Sequence, residues 1–237
     1  ERKNKIRQRL LKIRANKVIL ATGSIERPLI FDNNDRPGIM LSSAIKKYAD
    51  FYGVACGEKN ILFTNNDSAY DTALSLVKKG INVEAIIDIR EDINSKIVDE
   101  VEKNKIKIFK GYCITNTEGY KRIKKITIMK LSQDGEKVID KQENLNCDCL
   151  GISGGWTPAV HLFTQSGGKL KFKDKDHVFI PSNSPSEQIS IGACNGEFSI
   201  SKIIESIKKN LMQFLNVNKS FYENLIVKSY PTKSKRN

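Results

Sequence analysis

Long apolar runs, arginines, histidines and paired cysteines are what this 237-residue sequence has little of, and each scarcity removes a class of function. No stretch of eighteen consecutive apolar residues occurs, so nothing reads as a membrane span and no membrane partner is expected. The five cysteines, Cys56, Cys113, Cys147, Cys149 and Cys194, are odd in number. Cys147-Asp148-Cys149 has neither a second such pair nor a nearby histidine to complete a zinc site, so they read as reduced structural thiols and no metal site is expected. Only nine of the forty basic residues are arginine. The net charge of +13 and pI near 9.4 therefore come from scattered lysines rather than from guanidinium forks set among aromatics, and no nucleic-acid partner is expected. Of the two histidines, His161 follows a Gly-Gly turn without an acid or nucleophile in a motif, and His177 sits among Lys and Asp in a surface turn, so no catalytic residue is assigned. The chain begins with Glu1 and carries no signal-peptide pattern; it reads as a soluble, cytoplasmic piece of a larger protein.

What is present is organised around residues 60–88. Ile61-Leu62-Phe63-Thr64 is a short apolar run of the buried-strand kind, followed by polar Asn65-Asn66-Asp67 and a segment with Ala69, Ala73, Leu76 and Val77 on one helical face. Asp67 is the expected N-cap and Gly80 the expected C-terminal stop. Val83 to Asp88 gives a second strand with an acid at its tip. Strand, crossover helix and parallel strand make the opening half of a dinucleotide fold. Thr64, Asn66 and Ala69 occupy the three positions of the G-x-G-x-x-G/A fingerprint, so the scaffold matches but the phosphate cradle does not. The side chains of Asn65, Asn66 and Asp67 are expected to fill the phosphate site themselves, with Asp88 left as the ribose-type acid.

On either side, Arg9–Ile13 and Lys17–Leu20 read as strands, the second leading into Ala21-Thr22-Gly23, where a glycine lets backbone approach a ligand at the sheet's carboxyl edge. Asn34 to Gly38 is a turn, and a helix runs from Ser42 or Ser43 through Tyr48 and Tyr52 to Gly53, its aromatics read as core. A charged helix begins at Asp92, and Lys105–Lys110 is a third strand. Gly119–Leu131 forms a hairpin with Glu136–Lys141 about Gln133-Asp134-Gly135. Cys147 to Ser153 is a return strand and Gly154 to Pro158 a turn, followed by a strand pair in 170–180. Ile189 to Gly196 ends in a Gly192-Ala193-Cys194-Asn195-Gly196 loop before a helix capped by Ser199, an arrangement suited to an anion or ribose. A short helix and linker follow from about Asn216. The expected organisation is α/β with two Rossmann-like lobes: residues 1–57 and 149–210 form an outer lobe, 58–148 an inserted inner lobe with a degenerate glycine loop, and 211–237 a terminal helix and linker. The cofactor-binding candidates are Ala21, Thr22, Gly23, Gly192, Ala193, Asn195 and Gly196.

The phrases Arg14–Pro28 (RANKVILATGSIERP), Asn34–Leu41, Phe63–Tyr70 and Ser153–Phe163 (SGGWTPAVHLF), continuing through Gln165–Leu170, resemble the alpha subunit of the bacterial heterotetrameric sarcosine oxidases. The resemblance covers most of residues 9–210. It implies a two-dinucleotide-fold FAD/NAD(P)-type architecture in a four-subunit oxidoreductase that demethylates sarcosine to glycine. Such an enzyme passes electrons to oxygen, giving hydrogen peroxide, and yields formaldehyde or methylenetetrahydrofolate. It further implies beta, gamma and delta partner subunits, FAD and FMN in the holoenzyme, and a redox-silent NAD in the alpha subunit. Sarcosine and tetrahydrofolate would bind elsewhere, and the outer lobe's glycine-rich opening strand and a folate domain would flank this piece. Two other readings are an alpha subunit of a related amine or opine dehydrogenase, and a basic module for RNA or an acidic surface.

Overall fold

Two three-residue strands, β1 (Val18–Leu20) and β2 (Ser24–Glu26), begin the regular structure of this computed structural model, which describes residues 8–139 and 142–215. β3 (Ile39–Leu41) runs directly into α1 (Ser42–Tyr52), which stops at Gly53 in the left-handed conformation that glycine tolerates. There follow β4 (Asn60–Thr64), α2 (Ser68–Lys78), β5 (Val83–Asp88), α3 (Lys96–Lys103) and β6 (Lys107–Lys110), the repeating strand-helix pattern of a parallel sheet. An antiparallel meander, β7 (Tyr112–Glu118), β8 (Lys125–Lys130) and β9 (Glu143–Asn146), precedes β10 (Cys149–Ser153). The chain then passes through β11 (Trp156–Pro158), α4 (His161–Gln165), the hairpin β12 (Leu170–Lys173) and β13 (Val178–Pro181), and β14 (Gln188–Ser190). A 3-10 turn (Gly192–Asn195) and α5 (Ile200–Leu215) complete it.

The inner sheet has the order β3-β10-β4-β5-β6, and every pair in it is parallel. Because successive strand residues point to opposite faces, Leu62 and Ile86 face the helices, whereas Ile61, Phe63, Ala85 and Ile87 face the meander. The helical face is closed by Ile45 and Ala49 of α1, Tyr70, Ala73 and Leu76 of α2, and Ile97, Val98 and Val101 of α3. Ile114, Ile126 and Ile128 of the meander close the other face. Both faces covered is what a parallel sheet requires, and it explains why β4 and β10 are buried end to end. Each such apolar side chain contributes roughly 1.5–3 kcal/mol. Gly151 in β10 is fixed by close approach, since a Cβ there would stand 2.5 Å from Leu62 Cδ2 and 2.9 Å from Ile45 Cδ1.

Several expectations need correction. Ile39–Tyr52 and Cys149–Ser153 were expected in the outer lobe, yet β3, α1 and β10 belong to the inner sheet, because β10 inserts between β3 and β4 with Cys149 opposite Asn60 and Ser153 opposite Thr64. The inner sheet therefore draws on chain from outside residues 58–148. Arg9–Ile13 is not a strand; it is exposed and unpaired, with Leu10 90% accessible. Only Ile45 and Ala49 of α1 reach the core, while Tyr48, Tyr52 and Phe51, the last 77% accessible, pack on one another at the surface. β8 pairs along its length with β7 and β9, and the expected hairpin about Gln133-Asp134-Gly135 is confined to its end: the Ile139 amide donates to the Lys130 carbonyl at 2.9 Å and the Ser132 amide to the Lys137 carbonyl at 2.8 Å, on either side of a bridge between Leu131 and Val138, while residues 140–141 lie outside the described residues. Within the expected turn at 154–158, Trp156–Pro158 is a strand paired with β2. The region from Asn216 lies outside the described residues.

Candidate functional site

In an open parallel sheet the ligand crevice lies at the carboxyl edge, where neighbouring strands are followed by connections to opposite sides. Here that point is between Thr64, the end of β4, and Ser153, the end of β10. The protein's own polar groups fill it. Asn66 Nδ2 donates to the Ser153 carbonyl and hydroxyl, both at 3.1 Å, and to Asn65 Oδ1 at 3.0 Å. Its Oδ1 accepts from the Ser68 amide at 3.0 Å and from the Ser68 hydroxyl. Trp156 Nε1 donates to the same hydroxyl at 3.3 Å from the far side. Thr64 Oγ1 accepts from the Asn66 amide at 3.0 Å. Asn66 thus takes the capping role expected of Asp67, whose backbone is already helical and whose side chain makes no cap hydrogen bond.

Asp67 is directed elsewhere because Arg90 lies opposite it. Arg90 Nη1 donates to Asp67 Oδ1 at 2.8 Å and Nη2 to Asp88 Oδ2 at 2.7 Å, while Nε meets both Asp88 oxygens at 3.0 and 3.2 Å. The Arg90 amide donates to Asp88 Oδ1 at 2.9 Å, and Tyr70 Oη donates to Oδ2 at 3.0 Å. All four residues are buried. Burial pushes the Asp88 carboxyl above its ordinary pKa, against the pull of Arg90 and Tyr70. Burial also opposes the Arg90 charge, but Asp88 and Asp67 overcome it and raise the guanidinium's pKa further. For Tyr70, burial and the Asp88 charge both raise the phenol. Asp88, at the position of a ribose-binding acid, is thus a fully buried carboxylate whose oxygens already accept from Arg90 and Tyr70.

The outer candidates form a different environment. β1 and β14 pair in parallel, Leu20 opposite Ser190, so Ala21-Thr22-Gly23 and the Gly192–Gly196 loop leave the sheet at the same edge. The Leu20 carbonyl ties them, accepting from the Ile191 amide at 2.9 Å and from Cys194 Sγ at 3.2 Å. Thr22 Oγ1 donates to the Ala159 carbonyl at 2.6 Å, and the Ala159 amide donates to the Gly23 carbonyl at 3.0 Å. Gly23 has φ +74°, and a Cβ there would meet nothing within 4 Å, so the backbone faces open space. Ala21 and Thr22 are exposed, and Ala193 and Asn195 half-buried. Gly192 and Gly196 are buried, with Lys173 Nζ donating to the Gly196 carbonyl at 3.3 Å. Asn195 also lines a cleft of about 780 Å³ with Lys17, Gln188, Asn210 and Phe214.

His161 is an exposed residue at the start of α4. His177 is half-buried rather than superficial; its ring lies 6.2 Å from that of Phe172 and its carbonyl accepts from Arg27 Nη1 at 3.2 Å. All five cysteines are free, and burial pushes Cys147 and Cys149 up to about 12, which leaves both as unreactive thiols at neutral pH. Among the described residues no group of three or more His, Cys, Asp or Glu is placed to hold a metal ion, and no helix is long and apolar enough to cross a membrane. Sequence reasoning missed Arg90, Tyr70, Ser153 and Trp156; the one available signal was the Asp88-Ile-Arg90 spacing at a strand end.

The fold comes first: an α/β fold with a parallel core, shared with a solved reductase and a solved dehydrogenase. Thioredoxin reductase from Lactococcus lactis superposes with a TM-score of 0.62 at 14% identity, over 84% of this chain and 65% of that one. L-Proline dehydrogenase from P. horikoshii superposes at 0.60 and 17% identity, over 87% and 36%. At such identities the likeness is one of fold. No protein-family model matches the chain. The particular resemblance comes from sequence. The chain is 35% identical over 202 residues to sarcosine oxidase subunit alpha of Corynebacterium sp. (strain P-1), covering 84% of this chain and 20% of the relative. It is 35% identical over 177 residues to the protein of that name from Rhizobium meliloti (strain 1021), covering 75% and 17%. The family resemblance carried by the sequence phrases is thus matched by relatives named sarcosine oxidase subunit alpha, of whose length the chain spans about a fifth.

Proposed function

We propose that this chain is the two-lobe central part of the alpha subunit of a sarcosine oxidase, an oxidoreductase acting on the CH–NH group of sarcosine with oxygen as acceptor. In this reading it supplies a nucleotide-binding edge and an assembly scaffold rather than the amine-oxidation site. The observation that carries the reading is the contrast between two carboxyl edges: the inner crevice is filled by Asn66, Ser68, Ser153 and Trp156, whereas the outer edge brings Ala21–Gly23 beside Gly192–Gly196 with open space before Gly23. A dinucleotide such as NAD fits the latter, where bare backbone, a bound ribose and the α5 N-terminus would share one side. NAD there would serve structure rather than electron transfer. FAD and FMN would belong to the assembled enzyme with its beta, gamma and delta subunits, and tetrahydrofolate to a domain outside this region. A cytoplasmic location goes with this reading.

The seven candidate residues alone offer a few hydrogen bonds of roughly 0.5–1.5 kcal/mol each. Association costs about 4 kcal/mol or more, so this chain by itself should hold NAD weakly and the intact subunit firmly. Gly23→Val in the assembled enzyme tests the reading, because it fills the open space and strains a left-handed backbone. NAD extracted per alpha subunit should fall at least tenfold while sarcosine-dependent peroxide release by surviving complex persists. Unchanged NAD content would place the nucleotide elsewhere, and absence of sarcosine-dependent peroxide from wild-type complex would refute the family activity.

A further inference from the structure

We propose that Arg90 is an internal ligand: its guanidinium is bound by Asp67 and Asp88 at the carboxyl edge of the inner sheet, in the place where a nucleotide would otherwise sit. The site has two halves. On the glycine-loop side, Asn66 accepts from the Ser68 amide at the start of α2 and Trp156 donates to the Ser68 hydroxyl. On the ribose side, Asp88 stands at the tip of β5 where a dinucleotide's diol would be gripped, and Arg90 folds back from two residues further on to take both of its oxygens. The same guanidinium reaches Asp67 beside the α2 N-terminus, spanning the distance between the acid that would hold a ribose and the helix end that would hold a phosphate. Its side chain is only 4% accessible.

The charges make the exclusion specific. A phosphate approaching the α2 N-terminus meets the Asp67 carboxylate, and a ribose approaching Asp88 meets an acceptor whose oxygens are already filled by Arg90 and Tyr70. Removal of Arg90 alone therefore does not recreate a nucleotide site. It leaves Asp67 and Asp88 facing a cavity of guanidinium shape, and the ligand class of that cavity is a small planar cation able to bridge two carboxylates, not an anionic nucleotide.

Arg90→Ala in the full chain tests this, with thermal unfolding and the fluorescence of Trp156, the single tryptophan, as readouts. The variant should unfold several degrees below wild type. Millimolar methylguanidinium should recover most of that shift, whereas equal methylammonium should recover little, and neither should raise the wild-type midpoint. NADPH should quench Trp156 in neither protein. Should Arg90→Ala yield no folded chain on its own, refolding it in millimolar methylguanidinium against equal methylammonium gives the same comparison, with folded yield as the readout. Equal rescue by the two amines, an unchanged midpoint, or saturable NADPH quenching of wild type that Asp88→Asn abolishes would each overturn the proposal.

Discussion

The five-stranded parallel sheet and the two-stranded one treat their carboxyl edges in opposite ways. At the inner carboxyl edge Asn66 and Asp67 of the loop after β4 are tied to Ser153, Ser68 and Arg90, whereas at the outer edge a Cβ on Gly23 would meet nothing within 4 Å. The difference extends to packing. β4 and β10 are buried along their whole length, while Val18 and Ile19 of β1, in a sheet of only two strands, remain 40% and 38% accessible. A two-stranded parallel sheet by itself is marginal in water, whereas a five-stranded one covered on both faces carries its own core.

The largest expected effect lies in the inner network. Asp88→Ala removes one of the two carboxylates paired with the buried Arg90 charge, and equilibrium unfolding in urea should show a loss of about 3–5 kcal/mol. A loss under 1 kcal/mol would mean the network stabilises nothing. Next comes a paired comparison of core positions. Leu62→Ala in β4 removes a fully buried side chain and should cost about 2–5 kcal/mol, whereas Ile19→Ala in β1 should cost about 1 kcal/mol or less. Equal costs at the two positions would erase the contrast between the lobes.

The smallest effect concerns the seam where the meander returns to the sheet. Asp148 accepts from the Glu58 and Lys59 amides at 3.0 and 2.8 Å. Burial works against its charge, yet these amides and Arg122 hold its pKa below the ordinary 3.8. A carboxylate with a lowered folded-state pKa stabilises fully above its unfolded value and loses that contribution as pH falls through the folded one. Asp148→Asn should therefore cost about 1 kcal/mol at pH 7 and progressively less below pH 4. A cost independent of pH would remove the charge from the explanation.

Much of the inner lobe was legible in the sequence because periodicity and punctuation agree there. The apolar run before Thr64, the helical face from Ala69 to Leu76, and Gly80 with φ +75° each have one local reading. β10 shows where local signals end. Its strand character follows from residues 149–153, but its place between β3 and β4 depends on pairing across some ninety residues, which periodicity does not encode. β2 and β11 are three residues each, too short for alternation to register. The two outer loops, singled out for their glycines and small residues, lie together at one sheet edge. What fills the inner crevice was only half foreseen. Asn66 was in view, but Arg90, Tyr70 and Trp156 arrive from three different elements, and no spacing rule joins them. α1 misled in the other direction, since helical periodicity marks an apolar face without saying that the C-terminal aromatics overhang the sheet.

Amide hydrogen exchange of the assembled enzyme with and without bound NAD measures the contrast most directly. Slowed exchange is expected at residues 21–23 and 192–196, with residues 64–69 and 88–90 unchanged because their donors are already engaged. Protection appearing at 64–69 with none at 192–196 would contradict it, and would put the nucleotide in the inner lobe after all.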